Sequence, residues 1–314
     1  MLQDDPALTR QISLIEIPEQ PQPALRVIAP TNQVWTDNKA RFIMRDLRYF
    51  VYITKHGTYI DGFAGPQEEC ETDSWAAKLV LGSEPRRMRH FHLCDANRSQ
   101  IARLEQLRSE QPIVDARSKP INRDITIYPG DFNHRVDDIL NAGTISEKEA
   151  TFCLLDQRTF ECNWETVQKL AAYKKTGMKI ELFYFLANGW FERALSGQKD
   201  LEKLAKWWGR DDWTELRKMS RDQRKEIMVE RMKTELGYKH VMAWPIFKRD
   251  TGRTVMYFMI HATDHPEAPV QMSRAYRNAV RPLETIEQLE FELEGESKGP
   301  QAQPPSPIDS QRSA

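Results

Sequence analysis

Short apolar runs alternate along the chain with longer stretches whose apolar residues recur at every third or fourth position. The first rhythm is that of a buried strand and the second that of an amphipathic helix. Ile43, Leu47 and Phe50 mark an apolar stripe that predicts a helix over 36–53, with Thr36 as its cap. A strand is expected at 58–60, then a turn from Asp61 to Gln67 and a helix starting near Ser74. A second strand over 88–93 ends at Cys94-Asp95, and Ile101, Leu104 and Leu107 line the helix after it. The third strand, 125–128, is closed by Pro129-Gly130-Asp131. The fourth, 151–155, is closed by Asp156 and followed by a helix carrying Trp164, Val167 and Leu170. The fifth, 179–186, is closed by Ala187-Asn188-Gly189.

The rhythm then changes. Residues 190–236 read as a helical insert, and two extended runs follow at 241–247 and 254–262. The polar link Lys248-Arg249-Asp250-Thr251-Gly252-Arg253 between them predicts a hairpin, so at least one antiparallel strand joins the sheet. Closing helices fit 268–280 and 283–294, the latter with Leu283, Ile286, Leu289 and Leu293 on one face. Such alternation predicts an α/β fold: a Rossmann-like, doubly wound, mostly parallel sheet with a C-terminal antiparallel hairpin strand and a helical insert. Residues 1–34, with Pro18, Pro21, Pro23 and Pro30, read as an extended arm, 35–297 as the α/β domain, and 298–314 as a proline-rich disordered tail.

Composition adds limits. With 40% apolar and 10% aromatic residues over 314 positions, the chain can bury a large core. A formal net charge of -1 gives no global basic field for nucleic acid. No apolar run approaches the length of a membrane helix, and the acidic start Met1-Leu2-Gln3-Asp4-Asp5 lacks a signal-peptide layout. The expectation is a cytoplasmic protein without membrane contact. The cysteines Cys70, Cys94, Cys153 and Cys162 form no C-x-x-C pair and read as free thiols. No metal site is expected: His261 and His265 flank the last strand with no third ligand evident in sequence, and read as core or turn histidines.

Candidate chemistry gathers at the strand ends. Ligands of open α/β sheets bind beyond the carboxyl ends of the strands. Asp61, Asp95, Asp131 and Asp156 close four successive strands there, with Asn188 after the fifth. The loop Asp61-Gly62-Phe63-Ala64-Gly65-Pro66 follows a strand directly, and Gly62 and Gly65 let backbone approach a ligand closely. It is not the G-x-G-x-x-G of dinucleotide enzymes, nor does it hold the Gly-Lys-Ser/Thr of nucleoside triphosphatases. A serine nucleophile elbow is also lacking, so a hydrolase of that type has no support.

Tyr59-Ile60-Asp61-Gly62-Phe63-Ala64-Gly65-Pro66 resembles the cofactor loop of class I S-adenosylmethionine-dependent methyltransferases of the D-x-F-A-G type and, more closely, that of the bacterial three-Cys-motif partner family. Further matches are Lys39, Cys94-Asp95, Gly130-Asp131, Leu155-Asp156, the run from Trp207 to Trp213, and the run from Phe258 to Pro266. The resemblance spans roughly residues 35–280 and implies S-adenosylmethionine as cofactor. On that pattern Asp61 to Pro66, with Lys39 nearby, wrap the methionine end. Asp95 binds the ribose hydroxyls, Asp131 accepts from the adenine amino group, and Phe132 or Tyr128 packs on the ring. Asp156 stands where substrate and methyl group meet.

Two departures are visible. Gln67 stands where the family has glycine, and Asp156-Gln157-Arg158-Thr159-Phe160 replaces Asp-Pro-Phe/Tyr-Gly. By resemblance to amino-methylating enzymes, Asp156 orients an acceptor amine, Gln157 offers an amide without proline's fixed turn, and Phe160 stacks on the acceptor. The implied activity is methyl transfer, with nucleic-acid bases as first candidate acceptor and a three-Cys-motif protein as partner. The alternative is a cofactor-binding accessory protein without transferase activity. The basic stretch 216–236 reads as a solvated amphipathic helix rather than a nucleic-acid-facing one, and Trp207, Trp208 and Trp213 as core aromatics rather than a base-stacking platform.

Overall fold

A computed structural model describes residues 39–66, 75–84, 86–115, 117–187, 191–197, 200–247 and 254–279. The arm at 1–34, the cap Thr36, Gln67, Ser74, Asn188, the 248–253 link, the helix at 283–294 and the tail lie outside the described residues.

The chain runs α1 (Lys39–Thr54), β1 (Gly57–Asp61), α2 (Ala76–Gly82), β2 (Met88–Asp95), α3 (Arg98–Ser109), β3 (Asp124–Pro129), α4 (Phe132–Leu140), β4 (Thr151–Leu155), α5 (Trp164–Ala172) and β5 (Glu181–Ala187). The insert follows as α6 (Phe191–Gly197), α7 (Leu201–Trp208), a 3-10 segment (Asp211–Arg217) and α8 (Arg221–Thr234). β6 (His240–Phe247), β7 (Val255–Thr263) and α9 (Ala268–Asn278) complete the described residues. The sequence pattern anticipates all of these except α4, whose short apolar stripe of Phe132, Val136, Ile139 and Leu140 is buried.

The described strands form a seven-stranded sheet in the order β3-β2-β1-β4-β5-β7-β6. β1 to β5 pair in parallel, while β7 runs antiparallel to both β5 and β6. Every residue of the central strands β1, β4 and β5 is buried. The edge strands β3 and β6 are half-exposed. This is the contrast expected between strands covered on both faces and strands at a rim.

Side chains alternate between two cores. Ile60, Cys153, Leu155, Leu182, Tyr184 and Ile260 face the layer of α4, α5 and the insert. Tyr59, Phe152, Leu154, Phe183, Phe185 and Met259 face α1, α2, α3 and α9. The strand order reverses between β1 and β4, so their carboxyl ends diverge into a crevice.

The insert is tied to the first of these cores. Arg231 of α8 lies over the rings of Trp164 at 4.0 Å and Trp208 at 4.5 Å, donates to the Trp208 carbonyl at 2.7 Å, and pairs with Glu235. Gly209 ends α7 with φ +69°, and a Cβ there would lie 2.5 Å from Trp164 Cβ. Trp207 and Trp208 are buried, so they are core aromatics and form no exposed stacking surface. Arg224 is buried over Phe191, and Lys218 and Lys225 pair with neighbouring glutamates. Part of the positive charge of 216–236 is thus spent on packing and local pairing.

Candidate functional site

The crevice at the β1/β4 reversal holds a cavity of about 330 Å³. Gly62, Phe63, Gly65 and Pro66 line it from the loop after β1, Asp95 from the end of β2, Asp131 and Phe132 from the start of α4, and Asp156 from the end of β4. Four separate segments therefore bring their predicted residues to one opening.

The loop is built from inside. Asp61 is buried, and its carboxylate accepts from the Phe63 amide at 3.1 Å and the Tyr59 hydroxyl at 2.9 Å. Ala64 is buried too: its amide donates to the Cys94 carbonyl at 2.8 Å, and its own carbonyl accepts from Trp75 Nε1 at 2.6 Å. Asp61 and Ala64 thus shape the loop from behind while its other residues face the opening. Burial pushes the Asp61 carboxyl up to about 7, against the two hydrogen bonds that favour its charge, and Asp156 and Asp95 add to the rise. A cation in the cleft would relieve that cost.

The loop glycines are required by protein neighbours. A Cβ on Gly62 would come within 2.9 Å of the Phe132 ring, and one on Gly65 within 2.5 Å of Gln100 Cβ and 2.6 Å of Asp95 Oδ2. Asp95 fixes the far side: its Oδ2 accepts from the Gly65 amide at 2.9 Å and its Oδ1 from the Asn97 amide at 2.8 Å. Asp131 caps α4, with Oδ1 accepting from the Asn133 amide at 2.7 Å. Of the two candidate ring partners, Phe132 lines the cleft, while Tyr128 is turned to His92, 3.0 Å from hydroxyl to Nδ1.

Lys39 and the segment after β4 are placed differently from expectation. Lys39 Nζ lies 2.9 Å from Asp156 Oδ1 and 2.8 Å from Oδ2, over the rings of Phe185 and Tyr257, and does not line the cavity. It reaches the site through Asp156. Gln157 is buried: its Oε1 accepts from the Glu161 amide at 3.1 Å and the Cys162 amide at 3.0 Å, and its Nε2 donates to the Phe185 carbonyl at 3.3 Å. The glutamine fixes by side-chain bonds the turn that proline would fix by its ring, and its amide is engaged inside the protein. Phe160 is buried edge-on against Phe191 at 5.5 Å and Trp207 at 4.9 Å and does not line the cleft. The expectation that it stacks on an acceptor is corrected: the held turn directs the ring into the core.

Sequence reasoning missed Ala96, Asn97, Gln100, Arg158, Glu161 and Lys203, which complete the lining. Only its position, in the first turn of the helix after the second strand, could have pointed to Gln100. Lys203 comes from the insert, and no sequence pattern links it to the strand ends. Gln100 Oε1 is buried without a hydrogen-bond partner beside the cavity. Four carboxylates (Asp95, Asp131, Asp156 and Glu161), two aromatic rings and an unpartnered amide oxygen fit a cationic nucleoside, with Asp95 and Asp131 for hydroxyl and amino donors and Phe63 or Phe132 for a flat ring.

The strand order, the reversed β7 and a cleft at the carboxyl ends of β1 and β4 define a Rossmann-like α/β fold. Comparison with solved structures gives distant likenesses. The structure of the DszA carbon methyltransferase superposes with a TM-score of 0.44 and 16% identity over 73% of this chain and 54% of that one. The chain thus spans about half of that structure's length. A DUF519 protein from Legionella pneumophila gives 0.43 with 10% identity, covering 79% of this chain and 94% of that one. A DUF574 protein from Streptomyces avermitilis gives 0.40 with 12% identity, covering 71% and 82%. No family model and no curated protein sequence matches the chain. No helix among the described residues is long and apolar enough to cross a membrane.

Proposed function

We propose that the chain binds S-adenosylmethionine in the β1/β4 cleft and serves as an S-adenosylmethionine-dependent methyltransferase. The observation that carries this reading is the convergence of Asp95, Asp131 and the Gly62–Pro66 loop on one cavity of about 330 Å³. The cofactor supplies a methyl group on a cationic sulfonium. In this reading Asp95 holds the ribose hydroxyls, Asp131 accepts from the adenine amino group, and Phe63 or Phe132 packs on the base. Asp61 places a carboxyl behind the methionine end, where the cofactor's positive charge favours its ionised form. Positioning of the acceptor then falls to Asp156, oriented by Lys39, and to Arg158 and Lys203 at the cleft rim. These two cations suit an anionic acceptor, which keeps nucleic acid as the first candidate substrate. A three-Cys-motif protein remains the proposed partner, on the resemblance alone.

A second reading is favoured by specific observations. With Asp156 neutralised by Lys39, Gln157 consumed by the turn and Phe160 in the core, an amine-binding constellation does not assemble. This supports a cofactor-binding accessory protein without transferase activity. Calorimetry with S-adenosylmethionine tests the shared part of both readings, and absence of binding would remove both. Radiolabel transfer to DNA, RNA and protein separates them: tight binding with no transfer leaves the second.

A further inference from the structure

His261 acquires in three dimensions the companions that the linear sequence hides. It sits on β7 opposite Phe183 of β5, fully buried, on the sheet face covered by α1. Glu181, at the start of β5, and Asp46, in the middle of α1, meet it there. One donor atom from each of the three lies within 4.8 Å of the others. His261 Nε2 is 2.9 Å from Glu181 Oε1, an ion-pair distance, although the ring N–H is not aligned on that oxygen. His261 Nδ1 and Asp46 Oδ2 are buried with no hydrogen-bond partner.

Two carboxylates around one imidazole leave negative charge in excess even when the ring is protonated. Burying unbalanced charge is costly. The cluster thus lacks a positive charge, and a proton or a divalent cation can supply it.

We infer that Asp46, Glu181 and His261 form a binding site for a divalent transition-metal ion of the zinc type. The ligand set is right: zinc takes imidazole nitrogen and carboxylate oxygen at about 2.0–2.2 Å, which places donors of one ion roughly 3–4 Å apart. The outer shell is present: Thr263 Oγ1 donates to Glu181 Oε2 at 2.8 Å and fixes that carboxylate, and the Phe183 ring lies 4.9 Å from the imidazole. A route from solvent also exists. Asp46, Glu181 and Thr263 line a second cavity of about 160 Å³ between α1 and the start of α9, at the amino ends of β4 and β5. That cavity lies at the opposite edge of the sheet from the cleft of the proposed function, so the ion is assigned a site of its own, independent of methyl transfer.

The test uses the full chain, stripped with EDTA and titrated with zinc sulfate in a calorimeter, with cobalt(II) as a spectroscopic stand-in. One equivalent of zinc should bind. The cobalt form should show visible d–d bands without a thiolate charge-transfer band, which separates this site from Cys94, Cys153 and Cys162. Asp46→Asn and His261→Gln, checked for folding by circular dichroism, should each weaken zinc binding at least tenfold. Absence of stoichiometric zinc binding, a thiolate band with cobalt, or unchanged affinity in both variants would overturn the assignment. If neither variant folds, the cobalt spectrum of the unaltered protein decides.

Discussion

Lys39 and Asp156 form a two-pronged ion pair, with Nζ 2.9 Å from Oδ1 and 2.8 Å from Oδ2, and both side chains are about nine-tenths buried. The pair joins α1 to the end of β4, so the residue expected to orient an acceptor is held by the residue expected to touch the cofactor. Removing one partner of a buried pair strands the other charge, which costs about 3–5 kcal/mol, whereas replacing both with apolar groups is far milder. Lys39→Met should therefore lower stability by about 3 kcal/mol, and Lys39→Met with Asp156→Leu should recover most of it. Urea unfolding of Lys39→Met, Asp156→Leu and the double variant measures the coupling, and losses that simply add would show that the pair is not coupled.

Asp61 gives a pH signature. Its carboxyl rises from 3.8 to about 7 on folding, chiefly through burial. The folded state then holds a proton that the unfolded chain has lost, so this contribution to stability is full below about 4 and disappears as pH rises through about 7. The loss is on the order of 4 kcal/mol at the alkaline end. Asp61→Asn keeps an acceptor for the Phe63 amide and carries no charge. It should gain stability relative to the native protein between pH 5 and pH 8, read by urea unfolding at each; Asp46 shifts the same way, so some slope will remain.

Asp95 tests the cofactor assignment. Its two oxygens hold the Gly65 and Asn97 amides and face the cleft. A charged hydrogen bond contributes about 1.5–3 kcal/mol, so Asp95→Ala should weaken S-adenosylmethionine binding by roughly tenfold or more. An unchanged dissociation constant by calorimetry would count against the ribose role.

Gly65→Ala should fail for steric reasons. The new Cβ would meet Gln100 Cβ at 2.5 Å and Asp95 Oδ2 at 2.6 Å. Overpacking of this kind costs about 1–3 kcal/mol, and here the displaced groups are the loop and the ribose-side carboxylate. Both the melting temperature and the cofactor affinity should drop, whereas Gly82→Ala, with open space around its Cβ position, should leave both nearly unchanged.

Gln157→Leu should unfix the turn after β4. It strands the Glu161 and Cys162 amides and the Phe185 carbonyl. Buried groups left unsatisfied cost about 1–3 kcal/mol each, so with three groups affected a loss of at least about 3 kcal/mol is expected in urea unfolding. Phe160, which that turn seats beside Trp207 and Phe191, should become more accessible to hydrogen exchange at its amide.

The frame was legible in sequence because local rules write it. Short apolar runs mark the strands and apolar residues three or four apart mark the helices, and Asp61, Asp95, Asp131 and Asp156 fall at strand ends by the same reading. The helix after β3 was legible too, since Phe132, Val136, Ile139 and Leu140 carry the i, i+4, i+7, i+8 spacing of an amphipathic helix, but its nine residues are few for that signal to stand out. The partnership of Lys39 with Asp156 spans 117 positions and has no local trace. Phe160 shows the limit most clearly. The resemblance to amino-methylating enzymes suggested a ring over the cleft, yet Gln157 takes up the two amides that decide where the turn points. The companions of His261 lie far away in sequence, on α1 and β5, so a search for a nearby third ligand could not find them.

The clamp of Trp164 and Trp208 on Arg231 bears on how the cleft is reached. Lys203 rides on α7 one turn before Trp207 and Trp208, and Trp164 opens the helix that follows the Asp156 segment. The lysine is thereby moored to the same scaffold as the loop it faces. On that side of the mouth an incoming molecule meets a cation whose place is set by the packed core.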